Sequence, residues 1–239
     1  MRANNRTNDT LRHVIIENNV NPYAEGSCIV KMGNTHVLCM ATVERSTPSF
    51  LRGTGKGWIT AEYGMLPRAT HDRTQRKKNI DSGRTQEIQR LIGRSLRSIV
   101  DLAGMEGIQI RIDCDVLQAD GGTRTASITG AYVVLKIAEA WMMDNNLIKK
   151  PFVKDAISAV SCGVYKDIPV LDLDYAEDSN AETDANFVLT HSGDIVEIQG
   201  TAEAKPMTRD KLNAMLDLAS QGCQELSVIQ NTAIKKAIQ

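Results

Sequence analysis

With 239 residues, 42% of them hydrophobic but only 4% aromatic, the chain can form one large domain or two intimate halves around an aliphatic core. A formal net charge of −1 gives no overall attraction to a polyanion, no apolar run reaches membrane-spanning length, and the start Met1-Arg2-Ala3-Asn4-Asn5-Arg6 lacks the apolar segment of a signal peptide. Five cysteines (Cys28, Cys39, Cys114, Cys162, Cys223), widely spaced and without Cys-x-x-Cys, argue against a disulfide framework or a zinc site and set the expectation of reduced, buried thiols in a cytoplasmic protein.

Residues 13–18, 26–32 and 36–44 read as strands, with Gly33-Asn34-Thr35 turning the second into the third; Cys28 and Cys39 could face each other across that hairpin. Residues 45–83 have little periodicity and read as an extended loop around a short Trp58-Ile59-Thr60 strand; a loop of that length is usually functional or disordered. Thr85 to Leu102 is amphipathic, with Ile88, Leu91, Ile92, Leu96, Ile99 and Val100 on one stripe and Arg90, Arg94 and Arg97 on another. A strand over 107–116 alternates Ile108, Ile110, Ile112 and Cys114 against polar residues, and a helix over 126–144 is apolar or small on most sides. Strands follow at 156–164, 168–174, 185–190 and 195–199, with His191-Ser192-Gly193-Asp194 as a hairpin, and a last helix runs from Thr208. Similar units in the two halves suggest an α+β chain of two related lobes.

The even charge balance hides two poles. Arg68, Arg73, Arg76, Lys77, Lys78, Arg84, Arg90, Arg94 and Arg97 stand against Asp72, Asp81 and Glu87, a stretch suited to phosphates. Asp172, Asp174, Glu177, Asp178, Glu182 and Asp184 occur with no base among them, suited to a cation.

Between the alternating strand and the apolar helix lies Gln118-Ala119-Asp120-Gly121-Gly122-Thr123-Arg124-Thr125-Ala126-Ser127. Glycines let backbone N–H groups approach a ligand, a helix start presents unpaired N–H groups and a positive dipole end, and arginine matches phosphate oxygens. The segment therefore reads as an oxyanion cradle, against the plainer reading of a strand–helix connection in which Thr123 or Thr125 is an N-cap. It is neither a Walker loop nor a dinucleotide fingerprint. Ser82-Gly83-Arg84-Thr85 opens the amphipathic helix in a similar way, and the two could converge on one anion; alternatively Arg84 is one more solvated cation. Asp178 and Asp184 are paired carboxylates on a connector. They could hold magnesium or manganese or share acid/base work, or be solvated. No Ser-His-Asp or Cys-His arrangement is legible.

Taken together, Gly57-Trp58-Ile59-Thr60-Ala61-Glu62-Tyr63-Gly64-Met65-Leu66-Pro67-Arg68-Ala69-Thr70, Gly83-Arg84-Thr85 with Glu87-Ile88-Gln89-Arg90-Leu91-Ile92-Gly93-Arg94, Asp113-Cys114-Asp115 through Ser127, Glu177-Asp178-Ser179 through Asp184, and Glu197-Ile198-Gln199-Gly200-Thr201-Ala202-Glu203 resemble the ribonuclease PH family of phosphate-dependent 3′-to-5′ exoribonucleases. The resemblance runs from Arg2 to the C-terminal helix. It implies one α+β domain over 1–239, with two related lobes (about 1–150 and 151–239), each a mixed β-sheet packed on α-helices, assembled as a homo-hexamer, a trimer of dimers. It implies removal of 3′-terminal nucleotides from tRNA precursors, and from rRNA, by phosphorolysis that releases nucleoside 5′-diphosphates. Inorganic phosphate would be held by Arg84, Gly122, Thr123 and Arg124. Asp178 and Asp184 would serve catalysis and a divalent cation such as Mg2+, and Arg68, Arg73 and Arg76 would hold the tRNA body. Ala3 and Ala204 depart from the proline and glycine usual in the family. The competing readings are a non-catalytic RNA-binding subunit of an exosome-like ring, a polynucleotide phosphorylase, and a hydrolytic nuclease.

Overall fold

The computed structural model describes residues 2, 5–77, 82–203 and 205–239; Ala3, Lys78, Asp81 and Ala204, singled out above, lie outside them. Two sheets share one buried helix. The first is ordered β1-β2-β3-β5-β4, from β1 (Val14–Asn18), β2 (Gly26–Met32), β3 (Thr35–Glu44), β4 (Trp58–Met65) and β5 (Gln109–Gln118). Its pairs are antiparallel except β4 with β5, which run parallel. That parallel pair requires a crossover, supplied by α1 (Gly83–Ser98), which packs on β4.

β4 is longer than the three residues expected from sequence. Ile59, Ala61 and Tyr63 are all buried on one face, and pairing with β5 carries the strand on to Met65. Its alternation is masked in the sequence by the small or polar residues on both faces. α1 begins earlier than expected because Ser82 caps it, its Oγ accepting from the Thr85 N–H. It ends at Ser98, beyond which Val100 forms a bridge to Val153.

The second sheet is ordered β7-β6-β8-β9, from β6 (Ile157–Tyr165), β7 (Ile168–Leu171), β8 (Thr183–Thr190) and β9 (Ile195–Ala202). It is antiparallel throughout, the β6–β7 and β8–β9 connections being too short for crossovers. β7 stops at Leu171 rather than at 174, and a four-residue helix, α3 (Tyr175–Asp178), follows, closed by a capping box between Asp174 and Glu177.

α2 (Thr123–Asp144) lies between the sheets, against β2 and β3 on one side and β6 on the other. Contact on both sides explains why its sequence is apolar or small nearly all round. The long C-terminal helix α4 (Arg209–Ile238), capped by Thr208, covers β6, β7 and β1. All five cysteines are buried and free, and Cys28, Cys39 and Cys114 are register partners in a row across β2, β3 and β5. Among the described residues no helix is long and apolar enough to cross a membrane.

Candidate active site

The start of α2 is where the two lobes meet. Gly121 and Gly122 have φ of +76° and +65°, and Gly122 is the N-cap, with no side-chain cap bond. Neither threonine caps the helix: Thr123 is its first residue, and the Thr125 Oγ1 donates back to the Gly122 carbonyl at 2.9 Å. The Thr123 hydroxyl pairs with the buried Tyr63 Oη at 2.8 Å. The first-turn N–H groups therefore keep their positive field without a capping side chain, the condition for binding an anion.

A cavity of about 380 Å³ opens at this turn, lined by Arg84, Gly122, Thr123 and Arg124 from the first lobe and by Asp178 and Asp184 from the second. All six residues expected to bind phosphate or carry catalysis thus share one pocket. Arg84, second in α1, is exposed to it and makes no ion pair among the described residues. The Arg124 Nη1 donates to Gln199 Oε1 at 2.9 Å and lies 3.7 Å from Glu87. Burial, and then the like charge of Arg84, lower the Arg124 pKa. Two guanidinium groups that disfavour each other's charge beside a helix N-terminus form a site that an anion relieves.

On the facing wall, Asp178 ends α3 and Asp184 stands on β8. Asp178 is open to the pocket yet has protein on enough sides that desolvation, followed by the charge of Asp184, raises its pKa; Arg84, Arg124 and Arg12 pull the other way without prevailing. Among the described residues no group of three or more His, Cys, Asp or Glu could cage a metal. Asp178 and Asp184 form a carboxylate pair under mutual repulsion, two hard oxygen donors facing the cavity.

Three of the other four carboxylates of the acidic stretch are not available to a cation. Asp172, Asp174 and Glu177 are buried and claimed by N-terminal arginines. Arg2 grips Glu177 at 2.7 and 2.8 Å and also donates to the Leu171 carbonyl; Arg6 reaches Glu177 at 3.1 Å. Arg12 holds Asp172 with Nε, Nη2 and its backbone N–H at 3.0, 2.7 and 2.7 Å, while its Nη1 donates to the Asp120 carbonyl at 2.5 Å. One cluster thereby ties the glycine turn to the residues that lead into α3. The turn also touches α3 directly, since Asp120 Oδ1 accepts from the Tyr175 N–H at 3.2 Å.

These residues were missed in sequence because arginines 160 or more positions from their carboxylates carry no local signal. A Cβ on Gly121 would stand 2.7 Å from the Leu173 carbonyl oxygen at a φ already unfavourable for a side chain. Gly121→Ala is therefore expected to push the turn off α3 and to lower kcat/KM by about 10-fold or more. Steady-state kinetics with a melting curve checks this, and unchanged kinetics would sever the link between turn and helix.

Arg68, Arg73 and Arg76 do not line the pocket. All three are exposed, Arg68 and Arg73 on the loop after β4 and Arg76 in the helical turn that follows it, Arg68 bonding the His71 carbonyl at 2.8 Å, while Thr70, His71, Asp72 and Thr74 of that loop face the cavity. The basic loop thus borders the site with its arginines outside.

The chain matches both domain models of the 3′ exoribonuclease family, domain 1 over residues 10–140 and domain 2 over residues 155–222. It is 59% identical to "Ribonuclease PH" of Methylobacterium radiotolerans over 236 residues, covering 98% of this chain and 100% of that one. Among solved structures, rice (Oryza sativa) Rrp46 superposes with a TM-score of 0.82 at 19% identity, covering 98% of this chain and 100% of that chain. An Archaeoglobus fulgidus exosome with RNA bound to the active site superposes with a TM-score of 0.81 at 21% identity, covering 95% of this chain and 91% of that chain. Both are similar in fold.

Proposed function

The chain belongs to the ribonuclease PH family of 3′ exoribonucleases, and from that premise we propose that the pocket between the lobes is where inorganic phosphate is consumed as a nucleophile. The protein is a phosphorolytic 3′-to-5′ exoribonuclease, a nucleotidyltransferase that passes the terminal nucleotide of RNA to phosphate. A phosphate oxygen bonds to the phosphorus of the last phosphodiester and the P–O3′ bond breaks. A nucleoside 5′-diphosphate leaves, and the shortened RNA keeps a 3′ hydroxyl, its oxygen taking a proton.

The observation that carries the reading is the opposition of two arginines and an uncapped helix start to two carboxylates across one cavity. An anionic nucleophile must meet an anionic diester, so repulsion has to be cancelled before bond formation. Arg84, Arg124 and the N–H groups at Gly122-Thr123 would neutralise and orient the phosphate, leaving the reaction to positioning and charge stabilisation. Phosphate is already nucleophilic near neutral pH, and no histidine base is called for. A divalent cation, with Mg2+ favoured, would be held by Asp178 and Asp184 and would supply charge stabilisation at the leaving oxygen. Arg68, Arg73 and Arg76, outside the cavity, would contact the backbone of the RNA body.

The substrates we assign are tRNA precursor 3′ ends and rRNA, and the assembly a homo-hexamer built as a trimer of dimers. Sedimentation equilibrium tests the assembly. A cytoplasmic setting belongs to the same reading, since five buried thiols suit a reducing compartment.

Incubation with 3′-labelled RNA, with and without inorganic phosphate, decides the activity. Diphosphate release only with phosphate supports the reading, monophosphate release means hydrolysis, and RNA binding without release means a non-catalytic ring subunit. Arg84→Ala removes a charge-assisted contact to the nucleophile, so the KM for phosphate should rise about 10- to 100-fold with little change in the KM for RNA. An unchanged phosphate KM would remove Arg84 from the site.

A further inference from the structure

Two buried hydroxyls among the described residues, those of Ser95 and Ser161, have no hydrogen-bond partner, and of the two only Ser161 lines the cavity. Ser161, on β6 of the second lobe, is only 5% exposed, and its Oγ has no hydrogen-bond partner among the described residues, yet the residue lines the cavity floor. Buried polar groups are normally paired, and an exception that lines a cavity calls for a partner that a ligand can supply.

Its place follows from how β6 crosses α2. Ala159, two residues earlier and on the same face of the strand, meets the Thr129 hydroxyl of α2, its N–H lying 3.3 Å from the Thr129 Oγ1. Two residues further along β6, and about two turns back toward the start of α2, Ser161 reaches the N-cap. Its Oγ lies 3.5 Å from where a Cβ on Gly122 would stand, a point also 3.1 Å from Arg12 Nη2 and 3.2 Å from Thr125 Oγ1. Across the sheet Ser161 is the register partner of Asn186, which lines the same cavity with Asp184.

We propose that Ser161 is a further ligand of the nucleophilic phosphate, its hydroxyl donating from the second lobe to the anion seated against Gly122 and Thr123. This deepens the proposed function and rests on it. The anion would then be gripped from both lobes, with charge and helix dipole supplied by the first and a neutral donor by the second. A hydroxyl that serves the ligand rather than the fold contributes nothing to the folded state without ligand, so deleting it separates the two roles.

Three variants of the full chain test the assignment: Ser161→Ala, Ser161→Cys as a near-isosteric weak donor, and Gln224→Ala on the exposed face of α4 as a control expected to match the parent chain. For Ser161→Ala the KM for phosphate is expected to rise about 10-fold and the KM for RNA to stay within twofold, with a melting temperature equal to or above that of the parent chain. Ser161→Cys should follow alanine in phosphate KM, because donation rather than volume is lost. Inorganic phosphate alone, titrated in a thermal-shift experiment without RNA, should stabilise the parent chain and stabilise Ser161→Ala less. A parent phosphate KM in Ser161→Ala, full recovery by cysteine, a shift confined to the RNA KM, or a lowered melting temperature with unchanged phosphate affinity would each overturn the proposal. If the parent chain releases nucleotides without phosphate, the proposed function fails instead, and the phosphate titration still reads Ser161 by itself.

Discussion

Asp178→Asn is expected to lower kcat by about 10²- to 10³-fold while the protein stays folded and still binds RNA. The change keeps size and hydrogen-bonding shape but removes the charge that faces the two arginines and would hold a cation. Stability should not suffer. The Asp178 pKa is raised in the folded chain, first by desolvation and then by Asp184. A carboxyl raised above its unfolded value favours folding when protonated, and that contribution is lost as pH rises through its folded pKa. At neutral pH the ionised form therefore opposes folding slightly, and asparagine relieves it. The same shift predicts the activity profile of the parent chain. If ionised Asp178 is required, kcat falls on acidification at a higher pH than for an ordinary aspartate. Parent-like turnover in the variant, or an acid limb at the usual carboxylate range, would place the cation and the chemistry elsewhere.

Arg12→Ala is expected to destabilise the chain by about 3–5 kcal/mol in urea denaturation. Asp172 is fully buried and takes three of its hydrogen bonds from Arg12, so truncation leaves a buried carboxylate with Arg6, 3.6 Å away, as its one remaining cation among the described residues. The backbone N–H of residue 12 would survive the substitution, which argues for the lower part of that range. A surface pair such as Lys31–Glu17, at a comparable 2.6 Å but with both side chains substantially exposed, should contribute no more than about 1 kcal/mol. Burial, not distance, separates the two. Adding Asp172→Asn to Arg12→Ala should cost less than the sum of the single changes, because the second removes the charge that the first leaves unpaired. Strict additivity, or a loss below about 1 kcal/mol for Arg12→Ala alone, would show that the cluster does not hold the turn to the second lobe.

How far an element shows in the sequence follows the range of the interactions that form it. β2, the strand of alternating isoleucines and the α1 stripe rest on local periodicity, and each was legible within a residue or a turn. The sequence underestimates β4 because Glu62 and Gly64 carry little strand propensity, and parallel pairing with β5 extends it. α3 was missed because four residues carry no period; its capping box acts only once Leu171 ends β7. The acidic stretch was read as one pole for a cation. Three of its carboxylates instead neutralise Arg2, Arg6 and Arg12, a division visible only after the N-terminus is folded against β7.

The sequence by itself determined the chemistry available: a glycine turn at a helix start, an arginine at each of two helix N-termini, and a carboxylate pair. It also carried the family signature, because such residues must be present in a given order whatever surrounds them. The tertiary structure alone decided which of those groups meet. α2 is buried between both sheets, and that packing brings Gly122 opposite Asp178 and Asp184 and puts Ser161 beneath it. Convergence of this kind depends on contacts between residues far apart in the chain, and hydrophobic burial of α2 on two sides, not any local preference, sets their distance.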